Sequence, residues 1–503
     1  MTRIGRRLAV LATTGALAAL PAVSALPAVG APGVLPSAAA AAGAAGSVSA
    51  VVGLTGPVRA LPGVDIVASY PNLSTAVVRG PAAAVAALAH DSRVVGIRPD
   101  EALVPTGDVS KELDAAFAWE KLGGHAGRPD AGAGVSVALI DTGVSDTAAL
   151  NRASGRLVDG VDTSPVAGRT ARPGRPATDP SYGDEYGHGT FMASVLAGGP
   201  VPGTGERGLG VAPGATVVVV KVAGADGTTT LAAVMGGLSW VLDHASTLQV
   251  ASFSFAHARP GTGYGADPLT YAVEQVQKHM TVVVSAGNTP GVVGDPGFDR
   301  KVLTVGAADV RHGKDSVASF SGSGRPAGVE KPDLVASGVG VLGVLPAGST
   351  LALAHPDAQK ADGLWRGSGT SQATAITAGA AAVLLQGHPA ATPLQVKTSL
   401  RAAARPLPGD RAGAGLLRLA GHVVDGVADK GEHDGDGGGG GSVGTGEEGF
   451  DASSWGASSW GASSWGAHSW DASSWGASSW GASSWGASSW GASSWGAASW
   501  GAE

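Results

Sequence analysis

Five apolar runs, Val135–Ile140, Thr216–Val222, Val250–Phe255, Thr281–Ser285 and Val302–Val305, lack the polar alternation of a strand with one wet face. Strands of this kind are buried on both faces, and the arrangement that buries them is a parallel sheet covered by helices. The intervening segments Gly189–Ala197, Leu231–His244, Pro268–His279 and Thr370–Gln386 have helical patterns. Strand and helix alternate from Gly134 to about Val427, so the expected fold class is α/β, a three-layer domain with a parallel sheet. Its bounds are set at 109–428.

The flanks read differently. Arg3, Arg6 and Arg7 precede an apolar stretch from Leu8 to Leu20, and Val23-Ser24-Ala25 offers small residues for cleavage. Residues 1–25 are therefore expected to be a secretory signal peptide, with the Sec and twin-arginine routes both left open. The apolar stretch is shorter than the roughly 20 residues of a membrane span. Residues 26–50, rich in Ala, Gly and Pro, read as a spacer. Residues 51–108 read as a small α+β domain, with strands at Val64–Ser69, Ser74–Arg79 and Arg93–Ile97 and a helix at Pro81–His90. Residues 429–449 form a Gly-rich acidic linker, and 450–503 repeat Ala-Ser-Ser-Trp-Gly.

Composition removes several function classes. The chain of 503 residues has no cysteine, which excludes disulfides, thiolate nucleophiles and iron–sulfur ligation. Its net charge of −7 leaves no basic stripe for phosphates, so no nucleic-acid partner is expected. His244, His257, His279, His312 and His355 show no metal-ligand spacing. Gly203-x-Gly205-x-x-Gly208 lacks the strand–turn–helix context of a dinucleotide site. Asp184-Glu185 reads as a solvated loop.

Three motifs carry chemistry. Val137-Ala-Leu-Ile-Asp141-Thr-Gly143 runs a buried strand into a carboxylate. Gly187-His188-Gly189-Thr190 opens a helix with an imidazole. Gly367-Ser-Gly-Thr-Ser371-Gln-Ala373 opens another with a serine. Ligands of open α/β sheets bind beyond the C-terminal strand ends, where these groups are placed to meet. A serine hydroxyl needs a base to take its proton, and the base needs a group that holds its tautomer. Ser371, His188 and Asp141 suit those roles as the catalytic residues. The first helical turn at Ser371 supplies N–H groups for an oxyanion, and Asn288, ending Thr281-Val-Val-Val-Ser285-Ala-Gly-Asn288, supplies a second donor.

Asp-Thr-Gly, His-Gly-Thr, Ser-Ala-Gly-Asn and Gly-Thr-Ser in this order resemble the subtilisin-like serine peptidases. Gly210-Val-Ala-Pro-Gly214, Leu303-Thr-Val-Gly-Ala307, Ala318-Ser-Phe-Ser321 and Lys331-Pro-Asp-Leu-Val-Ala336 extend the resemblance over Gly134 to Val424. It implies a subtilisin-like peptidase domain and a secreted serine endopeptidase working through an acyl-enzyme on protein or peptide substrates. It also implies that 51–108 is a pro-region that inhibits the enzyme and is cut between Asp100 and Val109. Ser254, Phe255, Ala256 and Gly287 take the positions of substrate-binding residues.

The chain departs from the family's pattern at four places. Gln372 and Ala375 replace the usual Met after the serine and Pro beyond it. Ser252-Phe-Ser-Phe-Ala256 has a methyl at Ala256 where glycine is usual, and Phe255 is expected to enlarge the apolar wall of the cleft. Leu150 stands where an acidic calcium ligand is usual, and Asp434-Gly-Asp436 lacks the ligand count of a calcium site. No cofactor is assigned; calcium is compatible with the family, but no site for it is identifiable.

Ten of the 13 tryptophans fall in the last fifty residues. A period of five matches neither strand nor helix, so the indoles share no face, and the Ser- and Gly-rich tail is expected to be disordered. Regular aromatics in a polar chain can stack on the sugars of a cell wall or on one another. The expected partner of this tail is cell-wall glycan, which also defines the alternative function: a catalytically drifted member of the family that binds surfaces. The full chain is expected to co-sediment with cell-wall glycan and a chain ending at Val443 to stay in solution; equal sedimentation would refute the glycan assignment.

Overall fold

The computed structural model describes residues 46–109, 117–165, 176–177, 180–202, 208–256, 267–311, 313–360 and 363–419. The expected signal peptide, nearly all of the spacer, the linker and the Trp repeat lie outside them. No helix among the described residues is long and apolar enough to cross a membrane.

In chain order the strands are β1 Ser47–Leu54, β2 Asp65–Tyr70, β3 Thr75–Pro81, β4 Val94–Pro99, β5 Ala102–Pro105, β6 Gly107–Val109, β7 Ser136–Asp141, β8 Leu157–Asp162, β9 Thr216–Lys221, β10 Thr229–Thr230, β11 Val250–Phe253, β12 Phe255–Ala256, β13 Thr281–Ser285, β14 Leu303–Asp309, β15 Ser316–Val317, β16 Leu334–Ser337, β17 Val341–Gly343 and β18 Trp365–Gly369. The helices are α1 Ala82–Ala87, α2 His188–Ala197, α3 Leu231–Asp243, α4 Pro268–Gln277, α5 Thr350–Ala354, α6 Thr370–Gly387 and α7 Pro393–Ala402.

The main sheet runs β8-β9-β7-β11-β13-β14-β16, all parallel, with β15 antiparallel on β14. Successive residues of one strand enter different cores. Val137 and Leu139 join one apolar cluster, with Phe191 of α2, Ile376 of α6 and Leu400 of α7. Ala138 and Ile140 join another, with Leu238 of α3 and Val273 of α4. Val217 and Val219 against Val218 and Val220 repeat the division. This double burial is what the unalternating runs require, and each fully buried Val or Ile contributes about 1.5–3 kcal/mol. The expected three-layer α/β domain is the observed one.

The N-terminal α+β unit is an antiparallel sheet ordered β2-β3-β1-β4. Its first strand corrects the expected boundary, since β1 starts at Ser47 inside the stretch assigned to the spacer. The reason is again burial on both faces. Ala50, Val52 and Leu54 pack in a core with Val85 of α1, whereas Val51 and Val77 pack with the core that contains α3 and α4.

Polar contacts fix the unit to those two helices. Tyr70 Oη donates to the Ala232 carbonyl at 3.0 Å, and Asn72 Nδ2 donates to Asp243 Oδ1 at 2.9 Å. Asp100 Oδ1 accepts from Ala232 N at 2.7 Å and the Glu101 carbonyl from Leu231 N at 3.0 Å, which satisfies the first N–H groups of α3. Arg98, buried, pairs with Glu101 at 2.7 Å, with Asp267 at 2.8 Å and with Asp295. Asp267 also caps α4 by accepting from Leu269 N and Thr270 N.

Removing one partner of a buried ion pair leaves an uncompensated charge at a cost of about 3–5 kcal/mol. Arg98→Ala, compared with the parent, is expected to lose stability on that scale in urea unfolding. A loss below about 1 kcal/mol would mean that the carboxylates do not depend on Arg98.

Candidate active site

Asp141 ends β7 at the C-terminal edge of the sheet and is buried. Its Oδ1 accepts from Thr142 N at 2.8 Å and lies 2.7 Å from His188 Nδ1. His188 is the first residue of α2. That helix has no side-chain cap, because Gly187 stands at the N-cap with φ +110°, where a Cβ would lie 2.8 Å from Ser349 Oγ. Asp184 supplies the missing acceptor. Its carboxylate receives Gly187 N, Thr190 N and Thr190 Oγ1 at 2.7 Å each, and Thr142 Oγ1 at 2.8 Å. Thr142 Oγ1 in turn accepts from Gly189 N at 2.9 Å. One buried carboxylate thus ties the loop after Asp141 to the turn that carries His188.

The expectation of a solvated loop at Asp184-Glu185 is corrected at Asp184, which is 3% exposed. Only Glu185 is exposed there, paired with Lys221 at 2.5 Å. The uncapped N–H groups of α2 draw Asp184 inward. Burial raises its carboxyl above the ordinary aspartate range, while its four donors pull the other way.

Ser371 is the second residue of α6. Its Oγ donates to the Ser254 carbonyl at 3.2 Å and lies 2.8 Å from Thr106 Oγ1. The Thr106 carbonyl oxygen accepts from Asn288 Nδ2 at 2.6 Å and from Ser371 N at 3.3 Å. Thr370 orients that amide: its N and Oγ1 both donate to Asn288 Oδ1, at 3.0 and 2.9 Å. Gly107 follows Thr106. A Cβ on Gly107 would stand 2.8 Å from Ser371 Cβ, 3.0 Å from His188 Nε2 and 2.8 Å from Gln372 Oε1. Serine, imidazole, carboxylate and side-chain amide therefore converge on the bond between Thr106 and Gly107.

The chain around that bond is extended. β5 lies between β10 and β12, pairing Leu103 with Thr229, Val104 with Ala256 and Pro105 with Phe255, all antiparallel. Thr106 N donates to the Ser254 carbonyl at 3.0 Å. β6 pairs antiparallel with β18, Gly107 opposite Gly369. Ser254, Phe255 and Ala256 thus meet this segment as a strand, and the Ala256 methyl does not prevent pairing. The Phe255 ring is fully buried beside Phe253, in the apolar cluster that also holds Leu103 of the segment. Gly287 stands behind the strand; its φ of +93° turns the chain from β13 toward Asn288.

Sequence reasoning missed Asp184, Thr370 and Ser285. Ser285 Oγ lies 2.7 Å from Thr106 Oγ1. The one available signal was the acidic residue four positions before a helix start whose own cap is glycine. Among the described residues, no group of three or more His, Cys, Asp or Glu is placed to hold a metal ion.

A family model described as the subtilase family matches residues 132–423. The chain belongs to the subtilase family. It is 33% identical over 285 residues to serine protease AprX of Bacillus subtilis (strain 168), covering 54% of this chain and 61% of AprX. It is 32% identical over 272 residues to subtilisin BL of Lederbergia lenta, covering 54% of this chain and 83% of that protein. The structure resembles fervidolysin from Fervidobacterium pennivorans, with a TM-score of 0.55 at 22% identity over 76% of this chain and 61% of that one. That likeness shows the fold. The chain thus spans about three fifths of the length of AprX and of fervidolysin.

Asp184→Asn keeps the shape but gives up charge-assisted acceptance toward Thr190 and Gly187. If Asp184 positions His188 through the helix turn, kcat is expected to fall about tenfold or more with KM nearly unchanged, since such an effect acts on geometry rather than binding. Equal kcat in both proteins would reduce Asp184 to a structural cap.

Proposed function

We propose that the chain is a secreted serine endopeptidase, made with an N-terminal pro-region that its own active centre cuts between Thr106 and Gly107. The observation that carries this reading is the seating of the Thr106 carbonyl oxygen between Asn288 Nδ2 and Ser371 N, with Ser371 Oγ 2.8 Å from the hydroxyl of the same threonine. This is the pose of a substrate carbonyl about to be attacked.

In the proposed reaction Ser371 Oγ adds to the Thr106 carbonyl carbon, and its proton passes to His188. Asp141, 2.7 Å from the opposite ring nitrogen, holds the tautomer and stabilises the imidazolium. Negative charge gathers on the Thr106 oxygen, where Asn288 and Ser371 N already donate. The C–N bond to Gly107 then breaks, and His188 returns the proton to the leaving amine. Water attacks the acyl-serine, again through His188, and frees Ser371 and a Thr106 carboxylate. Before release, the segment Ala102–Thr106 fills the cleft and inhibits it. Asp141, His188 and Ser371 are the proposed triad, Asn288 the oxyanion donor, and Ser254, Phe255 and Ala256 the substrate strand. For the Trp-rich tail the proposed partner remains cell-wall glycan.

Secreted wild-type protein is expected to begin at Gly107 and to take a tagged fluorophosphonate at Ser371; Ser371→Ala is expected to stay joined through 106–107 and take no label. Asn288→Ala is expected to lower kcat on the order of 10²–10³, the cost of one oxyanion donor in enzymes of this kind. A Ser371→Ala chain secreted alone that still matures to Gly107, or a matured wild-type chain that refuses the label, would overturn the reading.

A further inference from the structure

We propose, resting on the reading above, that the active centre selects a peptide bond between threonine and glycine, with Ser285 reading the threonine. A water molecule is the co-reactant: the C–N bond opens to a threonine carboxylate and a glycine amine.

The selectivity at Thr106 follows from its hydroxyl. Thr106 is 6% exposed. Its Oγ1 is hydrogen-bonded to the Ser254 carbonyl at 3.0 Å and to Ser285 Oγ at 2.7 Å. Ser285 is the last residue of β13 and fully buried. Valine matches threonine in shape but would set a methyl group against Ser285 Oγ and the Ser254 carbonyl. A site built to hydrogen-bond a substrate hydroxyl discriminates strongly against an analogue that lacks it, because its buried polar groups lose their partner.

The selectivity at Gly107 is steric. A Cβ there would lie 2.8 Å from Ser371 Cβ, closer than carbon atoms pack. Ser371 Cβ is fixed at the start of α6 and cannot yield as a long side chain can. On the other strand, a Cβ on Gly369 would lie 2.5 Å from the Thr106 carbonyl oxygen and 2.6 Å from Gly107 Cα. Both backbones must be bare for the bond to reach Ser371, so a residue other than glycine after the bond moves it off the nucleophile.

The test uses the full chain as secreted and the synthetic octapeptide Ala-Leu-Val-Pro-Thr-Gly-Asp-Val, with variants that carry valine for threonine or alanine for glycine. The valine peptide is expected to lose about tenfold or more in kcat/KM, and the alanine peptide more than about 100-fold. Ser285→Ala is expected to bring the threonine-to-valine ratio close to one, and Ser285→Thr, which keeps a hydroxyl, to retain preference for threonine. Mass spectrometry of the full chain is expected to find a terminus at Gly107, and none there in Ser371→Ala. Equal cleavage of all three peptides, or an unchanged ratio in Ser285→Ala, would overturn the selectivity while leaving the peptidase reading intact. No cleavage of any peptide and no terminus at Gly107 would remove the peptidase reading and this inference with it.

Discussion

A parallel sheet buried on both faces leaves only its strand ends for chemistry, and the rest of this structure depends on that constraint. Val137–Ile140 contributes side chains alternately to two cores, so nothing polar is tolerated before Asp141. The first carboxylate appears where β7 leaves the sheet, one residue before the chain must turn. Ser285 ends β13, Ser254 follows β11, and the N-termini of α2 and α6 return to the same edge. A serine, an imidazole, a carboxylate and an amide meet there without any of them crossing the core.

Rigidity at that edge comes from groups that never touch the Thr106–Gly107 bond. Asp184 gathers four donors from two loops, and Thr370 spends both of its donors on the far side of the Asn288 amide. These contacts settle which way His188 and Asn288 face before any substrate arrives. Preorganisation of this sort counts more in a dry site than in water, because no solvent rearranges as charge develops. It also explains why an aspartate tolerates full burial beside the site: its hydrogen bonds oppose the penalty for holding charge there.

Much of this was legible in the sequence, for a physical reason. Double burial erases alternation, so β7, β9, β11, β13 and β14 stood out, and β13 matched its expected bounds, Thr281–Ser285. That Asp141, His188, Ser371 and Asn288 come together was legible through short motifs, where backbone turns and polar side chains are specified together. The strand β8 was not, because Leu157–Asp162 contains Asp159 and Gly160 and sits at the sheet's edge with a register shift. β1 was hidden by the Ala- and Ser-rich stretch from which it emerges. Asp184 was hidden because an acidic residue in a loop reads as solvated until the helix it caps is seen. The contact of Ser285 with Thr106 joins positions 179 residues apart, which no local pattern encodes.

The same separation bears on what happens if the Thr106–Gly107 bond opens as proposed. The two sides of the bond are held unequally. On the C-terminal side, three residues of β6 pair with β18. On the N-terminal side, β5 is clasped between two strands, Leu103 is buried, Asp100 and Glu101 meet the start of α3, and Arg98 neutralises buried carboxylates. Breaking one covalent bond removes none of those contacts. The C-terminal side is then the one free to leave, and the N-terminal unit stays seated with its threonine carboxylate at Ser371. A cleft occupied by its own product opens only when that whole unit dissociates, so the step that governs activity lies in the contacts of α3, α4 and Arg98 and not in the chemistry at the bond.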